Sequence, residues 1–228
     1  MSHSVVAVVG ASGALGSLIA TEVAARGGSV ILVGRDRSRL EAVEIAERSI
    51  VVGDLGDAST GEDLARVAEE AHGRLDGVIN AAGVVAFGSL MDTDDAVIEE
   101  LFLTNVLGPL WLLRRTVPLL SESSGFVAQL SAVVAEQPLP GMAAYSATKA
   151  ALTAANRALV RELRRSKVSV YDIRPPHTET GLANRPLAGS APKLGQGLEP
   201  GRVAHAVVAA IEEGRLDVSA EDVAALSR

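Results

Sequence analysis

Cysteine is absent from this chain of 228 residues, and aromatic residues make up only 3% of it. Without cysteine, disulfides and thiolate metal ligands are excluded. The four histidines, His3, His72, His177 and His205, are scattered without the spacing of metal ligands, so we expect no metal site. The chain also lacks basic runs and carries a net charge of -7, which disfavours nucleic acid as a partner.

Long hydrophobic runs are missing as well. The apolar start, Val5 to Val9, is too short for a signal peptide or a membrane span, and it runs straight into glycines. We therefore expect a cytoplasmic protein with no membrane partner. Hydrophobic residues make up 48% of the chain, which is typical of a globular protein, and the length fits one domain spanning residues 1–228.

Short apolar runs alternate with helical patterns along the whole chain. We expect strands at 4–9, 29–33, 49–53, 75–79, 125–131 and 168–173, and at most a short strand at 216–218. We expect helices at 15–26, 37–48, 62–71, 92–120, 142–165 and 199–213, with Gly108-Pro109 interrupting the helix 92–120. This alternation predicts an α/β fold, a Rossmann-like doubly wound parallel sheet in a single domain. An irregular segment rich in glycine and proline, about 175–198, is expected to be a substrate loop.

A glycine-rich turn, Gly10 to Gly16, joins the first expected strand to the first helix. Small residues in such a turn let the backbone approach a pyrophosphate, which binds at the N-terminus of the helix. An ordinary turn is the alternative, but strand, glycine turn and helix together favour a dinucleotide-binding loop. The candidate cofactor contacts in this turn are Gly10, Ser12, Gly13, Leu15 and Gly16.

The second expected strand ends in Gly34-Arg35-Asp36. An acidic side chain at this strand end binds a ribose 2′-hydroxyl, whereas a nearby arginine accommodates a 2′-phosphate. Gly34 stands where the acid would be, and Arg35 follows it. We therefore expect NADP as the cofactor, with NAD less favoured.

Two further strand ends carry candidate cofactor contacts. Asp54 follows the third expected strand and either meets the adenine or caps a turn. The fourth strand closes in Asn80-Ala81-Ala82-Gly83, whose small residues suit a close approach by the cofactor. We expect contacts from Asn80, Ala81 and Gly83.

Tyr145 and Lys149 are four residues apart on the expected helix 142–165, so their side chains share one face. A lysine ammonium close to a phenol favours the phenolate, so we expect the pKa of Tyr145 to lie below its ordinary value. Such a tyrosine can give or take a proton during a reaction. Asn105 lies inside the expected helix 92–120, where asparagine is unfavourable and needs an explanation.

Taken together, these residues resemble the short-chain dehydrogenase/reductase family over nearly the whole chain. The shared features, in the family's order, are Gly10 to Gly16, Asp54, Asn80 to Gly83, Asn105, Tyr145 with Lys149, and Pro175 to Thr180. The resemblance implies that Tyr145 gives or takes the proton. It implies that Lys149 lowers the tyrosine pKa and holds the nicotinamide ribose, and that Asn105 supports a proton-relay water.

The resemblance carries further expectations about the cofactor and the assembly. Arg35 matches the family's usual NADP-preferring position, and Pro175 and Thr180 are expected to contact the cofactor. The family also suggests that the two long helices pair across a two-fold axis, so we expect a homodimer or a homotetramer.

Several positions depart from the family's pattern. The second loop glycine falls on Ala14, with Gly13 one residue early. Ala81 replaces the usual second asparagine, and Pro176 replaces the usual glycine after Pro175. The chain also ends without the family's usual final strand and glycine-rich end.

The most serious departure concerns the serine that orients the substrate carbonyl. It normally lies thirteen residues before the tyrosine, and Ala132 occupies that position. Ser131 is its neighbour, and adjacent residues in a strand point to opposite faces, which argues against Ser131. A bulge at the strand end can re-aim a side chain, however, and the remaining catalytic set is intact. We therefore expect Ser131 to supply the working hydroxyl, with no hydroxyl at all as the alternative.

The sequence thus predicts an NADP-dependent oxidoreductase that interconverts a carbonyl and an alcohol by hydride transfer on a small-molecule substrate. The alternative is a catalytically weak NADP-binding sensor or scaffold protein of the same fold. Ala132 supports the alternative, whereas Tyr145, Lys149 and Asn105 support the enzyme.

Overall fold

Valine and isoleucine dominate the strands, and such β-branched residues favour extended backbone. The computed structural model describes residues 1–227 and joins seven strands in one parallel sheet of order β3-β2-β1-β4-β5-β6-β7. The strands are β1 (Val5–Val9), β2 (Ser29–Gly34), β3 (Arg48–Val52), β4 (Gly77–Asn80), β5 (Phe126–Leu130), β6 (Ser169–Ile173) and β7 (Asp217–Val218). The expected Rossmann-like doubly wound α/β fold is confirmed.

Helices cover both faces of the sheet. They are α1 (Ala14–Ala25), α2 (Arg37–Glu41), α3 (Ser59–His72), α4 (Asp95–Phe102), α5 (Gly108–Ser123), α6 (Ala143–Glu162), α7 (Pro200–Glu212) and α8 (Ala220–Leu226). A π-helical segment, Leu103–Leu107, joins α4 to α5. The core residues of α1, α7 and α8 pack on one face, and those of α3, α5 and α6 pack on the other.

Burial on both faces explains why the strand sequences are almost continuously apolar. In β1, Val6 and Val8 belong to the core beneath α1 and α7, whereas Ala7 and Val9 belong to the core beneath α3 and α5. All five residues of β1 are buried. The register pairs Val9 with Val33 and with Asn80, so the carboxyl ends of β1, β2 and β4 meet at one edge.

The helical stretch Asp95–Ser123 is 29 residues long and apolar enough to cross a membrane by length and composition alone. A buried helix in the core of a protein passes the same test. In the stretch Asp95–Ser123, 44% of the most apolar window is buried. The stretch contacts α3 and α6. The expectation of no membrane partner stays a prediction.

The expected helix 37–48 is wrong, because α2 ends at Glu41. Val43 and Ile45 are buried in the core with α1 and α7. Residues two apart lie on different faces of a helix but on the same side of an extended chain, so burial of both requires the chain to leave the helix. The Arg48 side chain donates to the carbonyl oxygens of Glu41, at 3.2 Å, and Ile45.

Two more differences lie in the second half of the chain. The interruption expected at Gly108-Pro109 in the helix 92–120 lies slightly earlier, because the π-helical segment Leu103–Leu107 ends where α5 begins at Gly108. The short strand expected at 216–218 is present as β7, which pairs with β6 through Ile173 and Val218. The unexpected helix α8 follows it, and its start is a capping box in which the Ser219 hydroxyl accepts from the backbone N–H of Asp222 at 3.1 Å.

Candidate active site

One cleft of about 380 Å³ opens at the carboxyl ends of the strands, where the strand order reverses between β1 and β4. This is where doubly wound folds bind their ligands. Most of the predicted site residues line it, namely Gly10, Ser12, Gly13, Leu15, Gly16, Arg35, Asp54, Ala81, Gly83, Ser131, Tyr145, Lys149, Pro175 and Thr180. Asn80 and Asn105 lie behind its wall.

The glycine turn forms a tight cradle at one end of the cleft. Gly10 has a φ of +78°, and a Cβ there would lie 2.8 Å from the backbone of Ala82. A Cβ on Gly16 would overlap the Gly10 carbonyl oxygen. No side chain caps the N-terminus of α1, and its first turn contains no acidic residue. Its free N–H groups and the positive end of the helix dipole therefore suit an anion such as a diphosphate.

Two arginines border the same end of the cleft. Arg35 is exposed, and its Nη1 lies 3.5 Å from the Asp54 carboxylate. Asp54 also accepts the Gly56 backbone N–H at 2.8 Å, so it caps a turn as well. Arg39, which the sequence reasoning missed, donates from Nη2 to the Ser12 carbonyl oxygen at 2.7 Å. Its spacing of four residues from Arg35 is the signal that could have found it. Two guanidinium groups make this end suitable for a 2′-phosphate.

Asn80 supports the cleft from behind. Its side chain donates to the Gln129 side-chain oxygen at 2.7 Å and accepts the Ala82 backbone N–H at 3.1 Å. The side chain is buried and fixes the turn after β4. The structure therefore places Asn80 as a support for the turn, and the predicted direct contact between its side chain and a cofactor is not supported.

Asn105 lies in the π-helical segment, a kind of turn found frequently at functional sites. Its side chain accepts the Val84 backbone N–H and donates to the Val84 carbonyl oxygen, both at 2.9 Å. It also donates to the Thr148 hydroxyl at 3.1 Å. Asn105 thus fastens the loop after β4 to α6, which explains an asparagine at this place. Its predicted support of a relay water stays a prediction.

Tyr145 and Lys149 lie one turn apart on α6, buried at the other end of the cleft. The Lys149 Nζ is 5.9 Å from the centre of the Tyr145 ring and donates to the Leu130 carbonyl oxygen at 3.0 Å. Burial raises the pKa of Tyr145 to about 12. Burial also lowers the pKa of Lys149 to about 8, although the Asp172 carboxylate opposes this shift.

The expectation of a lowered tyrosine pKa is therefore wrong for this structure. Removing the phenolate of Tyr145 from water is unfavourable, and this effect exceeds any attraction from Lys149. The Tyr145 hydroxyl is accordingly protonated at neutral pH. The protonated phenol is the form that can donate.

Ser131 borders the cleft, but its hydroxyl donates to the Asp172 carboxylate at 2.8 Å. The alternation of side chains along β5 continues through Ser131, so its side chain lies on the sheet face that α6 covers. The prediction that Ser131 supplies the substrate hydroxyl has no support from this geometry. Ala132 also lines the cleft and has no hydroxyl to offer.

The wall around Tyr145 is mostly apolar, and its side chains include Val85, Phe87, Val133, Val134, Leu139, Met142, Leu182, Ala183 and Leu194. The expected irregular segment supplies part of this wall and hydrogen-bonds to the loop after β4 through Leu187 to Val85, at 2.8 Å. His177 and Arg185 also line the cleft, and the sequence reasoning missed both. His177 lies two residues after Pro175, which is the signal that could have found it.

Comparisons with known proteins agree with this geometry. The family model for short chain dehydrogenases matches residues 4–189. An uncharacterized oxidoreductase of Staphylococcus epidermidis is 32% identical over 219 residues, which cover 93% of each chain.

Solved structures share the fold. A short-chain dehydrogenase from Sphingobium yanoikuyae in complex with NADPH is 26% identical, with a TM-score of 0.84 over 95% of this chain and 87% of that one. A 3-ketoacyl-(acyl-carrier-protein) reductase from Brucella melitensis complexed with NADH is 22% identical, with a TM-score of 0.87 over 97% and 99%. With the matches to the family model and to the staphylococcal relative, these observations show that the chain belongs to the short-chain dehydrogenase/reductase family of oxidoreductases.

Proposed function

We propose that this protein is an NADP-dependent oxidoreductase that interconverts a small-molecule carbonyl compound and its alcohol. One observation carries the proposal: a single cleft connects an uncapped helix N-terminus and two arginines to a buried tyrosine–lysine pair. The first end suits a phosphorylated dinucleotide, and the second suits proton transfer.

The cofactor proposal combines the relatives with this chain's own residues. Related proteins bind NADPH or NADH, which supports a nicotinamide cofactor. Arg35 and Arg39 favour NADP, because either guanidinium can donate to a 2′-phosphate. The α1 N-terminus would hold the diphosphate, and Lys149 the nicotinamide ribose. When bound, the nicotinamide supplies the hydride chemistry.

Tyr145 is the proposed proton donor in the reduction. Its raised pKa keeps the hydroxyl protonated, and the apolar wall excludes water from the carbonyl that receives the proton. Lys149 stabilises the phenolate that is left behind, because an ammonium group at this distance attracts it. The protein would thus orient the reactants, exclude water from the pocket and supply a proton.

The test starts with binding and then measures turnover. NADPH and NADH are titrated against the protein by fluorescence, and a panel of aldehydes and ketones is then added while loss of reduced-nicotinamide absorbance is followed. We expect tighter binding of NADPH and turnover of at least one apolar carbonyl compound. Wild-type preference for NADH, or absence of binding, would reject the cofactor proposal.

Ala132 supports a second candidate, a catalytically weak NADP-binding sensor or scaffold protein. No hydroxyl is offered at that position, and the hydroxyl of Ser131 is directed to Asp172. For this candidate we expect NADPH to bind and to be oxidised slowly or not at all with every carbonyl compound in the panel. The same experiment therefore separates the two functions.

We also propose that the protein acts in the cytoplasm as a homodimer or homotetramer. The outer side of the Asp95–Ser123 stretch carries apolar residues, and Leu107 is 42% exposed. Pairing of this side across a two-fold axis would remove it from water. Light scattering at micromolar concentration tests the assembly, and a monomer would reject it.

A further inference from the structure

A buried polar cluster lies beneath the tyrosine–lysine pair. The face of α6 that carries Lys149 continues with Asn156, seven residues on, and faces Ser131 and Asp172 on the sheet. Each of these four side chains is at least nine-tenths buried. The cluster therefore extends from the cleft, which Lys149 and Ser131 border, to the buried side chains on the sheet.

Asp172 is the centre of this cluster. Its Oδ1 accepts from the Ser131 hydroxyl at 2.8 Å and from the Asn156 Nδ2 at 2.9 Å. Its Oδ2 accepts from the Arg174 Nη1 at 2.6 Å. Three donors therefore fix both carboxylate oxygens in place.

Arg174 forms ion pairs with three acidic residues. Besides Asp172, it contacts Asp217 on β7, and its Nε lies 3.2 Å from Glu136. The guanidinium is buried, whereas Asp217 and Glu136 are both partly in water. The positive charge of Arg174 is thus shared, and the Asp172 carboxylate is only partly neutralised by it.

The surroundings of Lys149 contain few other charges. Strand β5 presents the Leu130 carbonyl, and the loop after β4 and the π-helical segment present Gly83 and Asn105. Its own helix presents the titratable Tyr145. Asp172 on β6 lies behind this contact, because it accepts from Ser131, the residue after Leu130, and its charge opposes the effect of burial on the pKa of Lys149.

A purely structural reason for this cluster is weak. On the same sheet face the preceding register pair, Val127 and Val170, is apolar, and Gln129 beside Asp172 accepts from the Asn80 side chain. Burying a carboxylate is unfavourable unless it is paired, and apolar residues of similar volume often serve stability as well or better. An acid at position 172 therefore suggests a role in the chemistry of the site.

We propose that Asp172 is a positioning residue for Lys149: its buried carboxylate keeps the lysine in the charged form, and Arg174 sets how much of that negative charge the lysine feels. Ser131 holds the carboxylate and does not contact the substrate. The inference rests on the proposed function of Lys149, but its first test is independent of turnover.

The chain has three lysines, Lys149, Lys167 and Lys193, so lysine labelled with ¹³C at Cε gives three NMR signals. Lys167→Arg and Lys193→Arg identify the signal of Lys149 by elimination. The signals are titrated with pH in the chain without added cofactor. We expect Lys149 in the wild type to titrate near pH 8.

Two substitutions should move the Lys149 titration in opposite directions. Asp172→Asn removes the attracting charge and should lower the midpoint by about one pH unit or more. Arg174→Gln frees the carboxylate and removes a repelling cation, so it should raise the midpoint. The matched control is Asp217→Asn, which removes a different acid that contacts Arg174 and is largely exposed, so it should change the midpoint much less.

An unchanged midpoint in Asp172→Asn, or a lower midpoint in Arg174→Gln, would overturn the inference. If Asp172→Asn does not fold, the direction of the Arg174→Gln shift decides. The pH profile of turnover with NADPH should follow the NMR midpoints. Shifted midpoints with an unmoved profile would leave the role of Asp172 intact and reject the proposed role of Lys149.

Discussion

The two ends of the cleft differ in how closely they follow the family pattern. At the glycine turn, the backbone cradle, the uncapped α1 N-terminus and Arg35 lie where they are expected. At the reaction end, Ala132 replaces a serine, the Ser131 hydroxyl points to Asp172, and burial raises the pKa of Tyr145.

The difference teaches which features of a site depend on the backbone. A dinucleotide cradle is made of N–H groups and close backbone contacts, and these follow from strand, glycine turn and helix. A catalytic hydroxyl depends on the direction of one side chain, and a shift of one residue along a strand reverses that direction. Alanine at position 14, in place of a glycine, therefore leaves the backbone cradle intact. Alanine at position 132, in place of a serine, removes the hydroxyl that would bind the substrate.

The largest expected effect comes from Tyr145→Phe at the reaction end. It removes the proposed proton donor and should lower turnover by about 10² or more, with NADPH affinity little changed. Tyr171→Phe is the matched control, since Tyr171 is the only other tyrosine and its hydroxyl donates to Ile211 beneath the opposite sheet face. Steady-state turnover and fluorescence titration measure both quantities. Equal turnover in the Tyr145 and Tyr171 variants would remove Tyr145 from the mechanism.

At the cofactor end, Arg35→Ala should weaken NADPH binding by about 10- to 100-fold, the size of a charge-assisted hydrogen bond. NADH has no 2′-phosphate, so its affinity should stay nearly the same. Fluorescence titration of both nucleotides measures the ratio. Equal weakening of both would show that Arg35 does not contact a 2′-phosphate.

The pH profile connects the two ends, because Lys149 is the residue proposed to hold the ribose and it lies one helical turn from Tyr145. Burial places the pKa of Lys149 at about 8, below its ordinary value, so the ammonium is present below pH 8 and is lost above it. Turnover should therefore fall about tenfold for each pH unit above 8, when the charged form is required. Turnover that is constant from pH 7 to pH 10 would contradict this role.

Most of the fold was readable in the sequence, because strands buried on both faces leave uninterrupted apolar runs. The failures have physical causes. Helical spacing was assigned through Val43 and Ile45, but tertiary burial of both pulls the chain out of the helix. Helix α8 was missed, although Ser219 and Asp222 form the capping box that starts it.

The features of the site also fall into two groups, those that follow from the order of strands and turns and those that depend on tertiary packing. Residues whose place depends on backbone order, such as Gly10 and Asp54, line the cleft, and their contact with a cofactor stays a prediction. The pKa of Tyr145 was not predictable, because it depends on how much water the folded chain leaves around the phenol. No sequence motif around Asp172 indicates a role in the site. Its proposed role depends on its contacts with Ser131 and Asn156, which the folded chain brings together.

Arg39→Ala tests how far the cofactor end extends beyond the family's usual position. Arg39 is held by the Ser12 carbonyl and would add a second donor to the 2′-phosphate, so the change should weaken NADPH binding by about tenfold and NADH binding much less. Arg37→Ala is the matched control, because Arg37 is on the same helix and pairs with Glu41 instead. Identical nucleotide affinities in the two variants would exclude Arg39 from the site.

The smallest effects are expected at positions 131 and 132, where they decide between an enzyme and a binding protein. Ala132→Ser offers a hydroxyl at the family's position and should raise turnover by about 2- to 10-fold, the size of one neutral hydrogen bond.

Ser131→Ala removes a donor from buried Asp172, so it should lower the free energy of unfolding by about 1–3 kcal/mol and cost far less turnover than Tyr145→Phe. Thermal unfolding should report this as a lower Tm. A loss of turnover in Ser131→Ala as large as that in Tyr145→Phe, with an unchanged Tm, would instead restore Ser131 as the substrate hydroxyl, because a residue that only holds Asp172 acts on stability first.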